Sequence, residues 1–127
     1  MFIYADFDAN FNYFERAIAF NQDGSKNGPA SPAARGSVIV VYLTGQGPLS
    51  SPVPTGQAAT SANKAALAYS AIIGPALASV EYLGATPGFV GLSQANIRVP
   101  NGAPVGDQTL ALNVGGHDSN RPLITIK

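Results

Sequence analysis

Glycine and proline interrupt this chain so often that long helices are not available to it. Fourteen glycines and ten prolines fall among 127 residues, about 19% against the roughly 12% of an average protein. A chain punctuated in this way needs many turns and short extended segments. Its size fits one domain and leaves no room for a second core.

The segments between the punctuation read as strands. Ser37 to Thr44 is an almost unbroken β-branched and aromatic run, closed by Gly45-Gln46-Gly47-Pro48, and it is expected at the centre of a sheet. Leu49 to Asn63 is rich in Ser, Pro, Thr, Gly and Ala, which suits a long irregular crossing. Lys64 to Ile73 is ambiguous. Ala65, Ala66, Leu67, Ala68 and Ala71 favour a helix, whereas Tyr69, Ile72 and Ile73 before Gly74-Pro75 favour a strand, and the strand from Tyr69 to Ile73 is preferred. Leu77 to Leu83 alternates, with Ala78, Val80 and Tyr82 forming the face best suited to a core. Gly91 to Val99 alternates more cleanly, with Ser93, Ala95, Ile97 and Val99 on one side and Leu92, Gln94, Asn96 and Arg98 on the other. Gln108 to Val114 and Leu123 to Ile126 flank a hairpin loop over Gly115 to Asn120. With Ala17 to Phe20 counted, about seven strands result, spaced as in an antiparallel sandwich. The terminal run Pro122-Leu-Ile-Thr-Ile-Lys127 reads as the last strand of a domain at the end of a parent chain.

Charge and composition exclude several function classes. Seven basic and seven acidic residues cancel, so no positive field recruits phosphates, which argues against nucleic acid as a partner. The absence of Cys and the single His exclude a thiol nucleophile, an iron–sulfur cluster and a Cys/His zinc site within one chain. No apolar window approaches the length of a membrane helix, so no membrane insertion is expected. No export signal stands at Met1-Phe-Ile-Tyr4. No cofactor and no metal is implied.

Five constellations carry chemistry in principle, and each has a plainer reading. Asp6-Phe-Asp8-Ala-Asn10 opens like a calcium loop, but Phe11 and Ala17 replace the Gly and Glu that such a loop needs. Asn21 to Asn27 contains Asp23-Gly24 and reads as a turn. Gly45-Gln-Gly47 lacks the third glycine and the following helix of a phosphate loop. His117-Asp118-Ser119 holds the residue types of a hydrolase triad, yet adjacent residues on one short loop converge poorly. Glu15 and Glu81 are the carboxylates for a glycosidase pair, in a domain too small for an obvious cleft. No catalytic residue is therefore expected, and the chain is read as a non-enzyme.

The best candidate surface is the outward face of Gly91 to Val99. There Gln94, Asn96 and Arg98 set amide and guanidinium groups in a row, with Tyr82 or Tyr69 as a neighbouring apolar platform. Such groups suit sugar hydroxyls or a peptide backbone; the plainer alternative is that they hold nearby loops. Phe89-Val90, after Pro87-Gly88, is expected to plug the end of the sandwich, with contact to a neighbouring domain as the alternative. The first twenty residues hold seven of the eleven aromatics and either tuck into the core or form a sticky surface.

Several of these stretches together carry a family signature. Phe20-Asn-Gln-Asp-Gly-Ser-Lys-Asn27, Pro32-Ala-Ala-Arg-Gly-Ser-Val-Ile-Val-Val-Tyr42, Thr44-Gly-Gln-Gly-Pro48, Tyr82-Leu-Gly-Ala-Thr-Pro-Gly-Phe-Val-Gly-Leu92 and Gln94-Ala-Asn-Ile-Arg-Val-Pro100 resemble the Solibacter C-terminal domain family, from about Ala17 to Lys127. The resemblance implies an immunoglobulin-like antiparallel β-sandwich of the IPT/TIG type at the carboxyl end of a larger exported bacterial protein. It implies an extracellular or cell-surface location and brings no catalytic residues. On it, residues 17–127 form the sandwich domain and residues 1–16 an aromatic segment packed on it. The expected role is that of a non-catalytic structural or interaction module. Its partner is then a neighbouring domain of the parent protein or another extracellular protein. The alternative is a carbohydrate-binding module using Gln94, Asn96, Arg98 and Tyr82.

Overall fold

The computed structural model describes residues 1–44 and 63–127. Every regular element among them is a strand: β1 (Ile3–Phe7), β2 (Tyr13–Ala17), β3 (Ala19–Phe20), β4 (Val38–Leu43), β5 (Asn63–Lys64), β6 (Tyr69–Ile73), β7 (Ala76–Ala85), β8 (Ser93–Arg98), β9 (Gly106–Val114), β10 (His117–Asp118) and β11 (Leu123–Ile126). The fold is all-β, antiparallel-rich and sandwich-like, as the punctuated sequence predicts. The seven expected strands correspond to β3, β4, β6, β7, β8, β9 and β11. The crossing expected over Leu49 to Asn63, like the Gly45-Gln46-Gly47 turn, falls almost wholly outside the described residues.

The strands follow one continuous order, β1-β2-β11-β9-β6-β7-β8-β4-β3, with β10 added to β9 and β5 to β7. Two long strands change partner along their length. β9 pairs with β11 over Gly106 to Thr109 and with β6 over Leu110 to Val114. β7 pairs with β6 over Ala76 to Ala78 and with β8 from Ser79 onward. Such shared strands make the corners at which a sheet turns over onto itself. The two ends of the order also meet, because only Ile18 separates β2 from β3. Ile18 N–H donates to Phe2 O at 2.9 Å, and Ile18 O accepts from Tyr42 N–H at 3.3 Å.

One apolar core fills the space between the layers. It takes Ile39, Val41 and Leu43 from β4, Leu83 from β7, Ala95 and Ile97 from β8, Leu110 and Leu112 from β9, and Ile124 and Ile126 from β11. The period of two explains the choice, since β4 and β8 each bury every second residue. Tyr69–Ile73 is a strand as preferred, held between β7 and β9 with Ala71 and Ile73 inward. Pairing on both edges outweighs the helix propensity of the alanines.

Three local expectations are corrected. A bulge between Val80 and Tyr82 inserts Glu81 into the β7–β8 ladder, so Leu83 enters the core and Tyr82 faces outward. Phe89 and Val90 stay exposed after the Pro87-Gly88 turn and plug nothing. The hairpin after β9 is tighter than a six-residue loop. Gly115 and Gly116 take φ of +59° and +86°, the left-handed pair that a two-residue hairpin turn demands. That turn lets His117 and Asp118 pair back onto Val114 and Asn113.

The unforeseen elements include the hairpin of β1 and β2, which joins the sheet where Arg16 meets Leu123 of β11 in parallel. Beyond that point Asn27 does the work of a strand. Its carboxamide donates to Thr125 O at 2.9 Å and accepts from Thr125 N–H at 2.8 Å. Ala33 then continues the pairing, bonding Thr125 O and Lys127 N–H. Asn27→Ala leaves the buried Thr125 N–H without its partner, whereas Thr125 O keeps Ala33 N–H, and is expected to cost about 1–3 kcal/mol, read as a lower urea midpoint at unchanged slope.

Candidate functional site

The row expected on β8 exists, with Gln94 and Asn96 occupied by one another and Arg98 by groups from other elements. Gln94 and Asn96 are half-buried and point outward, and Gln94 Nε2 donates to Asn96 Oδ1 at 3.0 Å. Arg98 Nε donates to Glu81 Oε1 at 2.7 Å, and its Nη1 donates to Gly36 O at 2.7 Å. The bulge is what brings Glu81 to Arg98. Tyr82 lies directly across from Asn96, and its hydroxyl donates to Ala85 O at 2.7 Å. That bond tethers the ring three residues along its own strand. Tyr42 and Val40 of β4 flank the row on the other side. Tyr69 does not join it, since β6 pairs with β9 and β7.

The triad residue types at the β10 end do not form a relay. Ser119 Oγ accepts from Leu112 N–H at 2.9 Å and donates to Asn120 O at 2.7 Å. Asp118 accepts from Asn113 Nδ2 and faces Arg121. The hydroxyl thus serves the backbone, and no hydrogen bond joins it to His117 among the described residues. A cavity of about 230 Å³ lies beside these groups, walled also by Leu43, Leu112 and Val114. Glu15 on β2 and Glu81 on β7 stand on strands that do not pair. Among the described residues no cluster of His, Asp or Glu could hold a metal ion.

The calcium-like motif is taken apart by the first hairpin. Asp6 turns to Arg16, whereas Asp8 folds the turn by accepting from Asn10 N–H, Asn12 N–H and Asn12 Nδ2. These bonds hold the Asp8 carboxyl below its ordinary pKa, the Asn12 side chain contributing most. Asn21 to Asn27 is a turn as expected, with Asp23 accepting from the N–H and hydroxyl of Ser25.

Sequence reasoning missed the polar centre of the molecule. Arg16 is 4% exposed. Its Nε donates to Asp6 Oδ2 at 2.5 Å, and Nη1 and Nη2 form a two-pronged contact with Asp107 at 2.9 and 3.0 Å. Thr125 Oγ1 accepts from Nη1 and donates to Asp107 Oδ1. The Arg16 fork lowers the Asp107 pKa and Asp107 raises that of Arg16. The signal available in sequence was the spacing of Ile3-Tyr-Ala-Asp-Phe7 and Tyr13-Phe-Glu-Arg-Ala17 around the polar Asp8 to Asn12, a hairpin pattern.

The same hairpin carries exposed aromatics to its far end. Phe7 is 58%, Tyr13 55% and Phe11 86% exposed. The Phe7 and Tyr13 rings meet edge to face, with centroids 5.7 Å apart. Phe11 adopts φ of +63°, a conformation that a bulky residue rarely takes.

No family model, curated protein or solved structure matches the chain.

The lowered Asp107 pKa has a consequence with a definite sign. Stability from this group is present above the ordinary carboxylate pKa of about 4 and is lost as pH falls through the depressed folded value. Arg16→Met is expected to cost about 2 kcal/mol at neutral pH, the exposed third of each carboxylate limiting the effect. The variant also loses less further stability between pH 5 and pH 2 than the parent, by urea titration at each pH, because its Asp107 no longer titrates low.

Proposed function

We propose that the chain is a non-catalytic structural and interaction module, an immunoglobulin-like unit at the carboxyl end of a larger exported bacterial protein, working outside the cell. The observation that carries this reading is the contrast between two surfaces. The polar groups with chemical potential are committed to holding the fold, as with Ser119 on Leu112 and Asn120 and Arg98 on Glu81 and Gly36. The aromatic end of the β1–β2 hairpin is left in water. Aromatic groups displayed on a rigid arm suit contact with another protein surface, such as a neighbouring domain of the parent protein. The resemblance of Phe20 to Asn27, Pro32 to Tyr42 and Tyr82 to Pro100 to the Solibacter C-terminal domain family supports the placement of such a module in its parent.

A carbohydrate-binding role is the second reading, favoured by one observation, the juxtaposition of Tyr82 with Asn96 beside Gln94. A sugar would have to displace the Gln94–Asn96 bond to use both amides, which weakens it.

Two measurements test the pair of readings. Pure protein offered a panel of ester, glycosidic and peptide substrates is expected to turn over none; turnover abolished by His117→Ala or Asp118→Ala overturns the non-catalytic reading. A glycan array is expected to show no retention. Retention that Asn96→Ala removes establishes the second reading in its place.

A further inference from the structure

The two ends of the sheet are treated differently. At one end β3 is covered, because Ala19 O accepts from Asn27 N–H at 2.9 Å and Phe20 bridges to Lys26. At the other end β1 pairs, among the described residues, with β2 alone. The direction of its backbone groups is fixed at both ends of the hairpin. Ile18 N–H donates to Phe2 O at 2.9 Å, and Asp8 N–H donates to Asn12 O at 3.2 Å. Even-numbered residues therefore bond to β2, and Ile3, Ala5 and Phe7 turn their N–H and C=O groups to the open side. Phe7 N–H takes its own neighbour's Asp6 Oδ1 at 2.9 Å. The N–H groups of Ile3 and Ala5 have no partner among the described residues.

Natural edge strands are blunted by lysine, proline or a bulge. β1 has none of these: its sequence is Ile-Tyr-Ala-Asp-Phe and its register is regular. Its one charge, Asp6, is drawn toward Arg16.

We propose that β1 pairs with β1 of a second copy of this chain, antiparallel and centred on Ala5. The strand is self-complementary about that residue. Ile3 of each copy then faces Phe7 of the other on one side of the ribbon, and Tyr4 faces Asp6 on the other side. Lys26 completes the match, because its Nζ sits 3.8 Å from the centroid of the Tyr4 ring. The Asp6 carboxylate of the second copy therefore arrives beside an ammonium, and the two-fold axis repeats the contact. Asp6 keeps 35% of its side-chain surface exposed and so remains reachable. Ala5, exposed and small, lets the backbones close at the axis. Phe7, more than half in water in one copy, is covered against Ile3 of the other. An unrelated strand could use the open N–H groups but would not return both the apolar and the charged pair, which is why a second copy is the favoured occupant. This goes beyond the module reading and stands on the strand geometry alone.

A five-residue strand pair is small beside the roughly 1,600 Å² of a standard stable interface, so the dimer is weak and reversible. Sedimentation of the intact chain from micromolar to millimolar concentration is expected to show a monomer–dimer equilibrium that weakens with added salt. Ala5→Pro removes an outward N–H without touching the ladder to β2, and Ala5→Lys sets a charge on the axis. Each is expected to weaken dimerisation at least tenfold while leaving the melting temperature of the dilute protein near that of the parent. The chain has no cysteine, so Ala5→Cys labelled with pyrene reports the axis directly. Excimer emission that rises with concentration is expected there and not from the same label at Ser70→Cys on β6. A chain that stays monomeric throughout overturns the proposal. So does a dimer that survives both substitutions and gives no excimer at position 5.

Discussion

The planar fork of Arg16 is the interaction on which the arrangement of the rest depends. It sits where three pieces of chain distant in sequence come together: the first hairpin through Asp6, the start of β9 through Asp107, and β11 through Thr125. A guanidinium can serve three acceptors at once because its donors are fixed in a plane, which an ammonium cannot imitate. The geometry also determines how far β2 runs beside β11. The two strands pair at Arg16 and Leu123 and then part, and the carboxamide of Asn27 takes up the backbone groups that β2 leaves behind. Two side chains, one cationic and one neutral, thus replace several residues of ordinary ladder.

How much of this was legible in the sequence depends on which physical signal each segment carried. β4 and β8 announced themselves by apolar alternation between turn residues, and burial follows that alternation residue by residue. β7 was legible as a strand but not in its facing, because a bulge is a local count of residues against a partner and leaves no mark in the pattern of one strand. Glu81 is the extra residue, and its placement beside Arg98 is a consequence that only the ladder reveals. The first hairpin was illegible for a different reason. Its aromatics left a buried segment and a sticky surface both open, and in the fold Phe7, Phe11 and Tyr13 stand in water while the buried member is the arginine.

The candidate surface shows the same division. Gln94, Asn96 and Arg98 were placed on one face by spacing alone, and the structure puts them there with Tyr82 beside Asn96. The bonds of Arg98 could not be read from one strand, since its partners Glu81 and Gly36 come from elsewhere. Low overall charge takes on a local meaning as a result. Of only fourteen charged residues, seven, Asp6, Arg16, Glu81, Arg98, Asp107, Asp118 and Arg121, are spent on ion pairs among the described residues.

The meeting of β2 and β3 at Ile18 has an implication for the order of events during synthesis. β2 cannot find its place in the sheet until β11 exists, and β11 is made about a hundred residues after Arg16 leaves the ribosome. At roughly 5–20 residues per second, the first hairpin waits on the order of 5–20 seconds with Arg16 unmatched by Asp107. The hairpin is therefore locked only after β11 is made, and the vulnerable interval in the formation of this fold lies between the two.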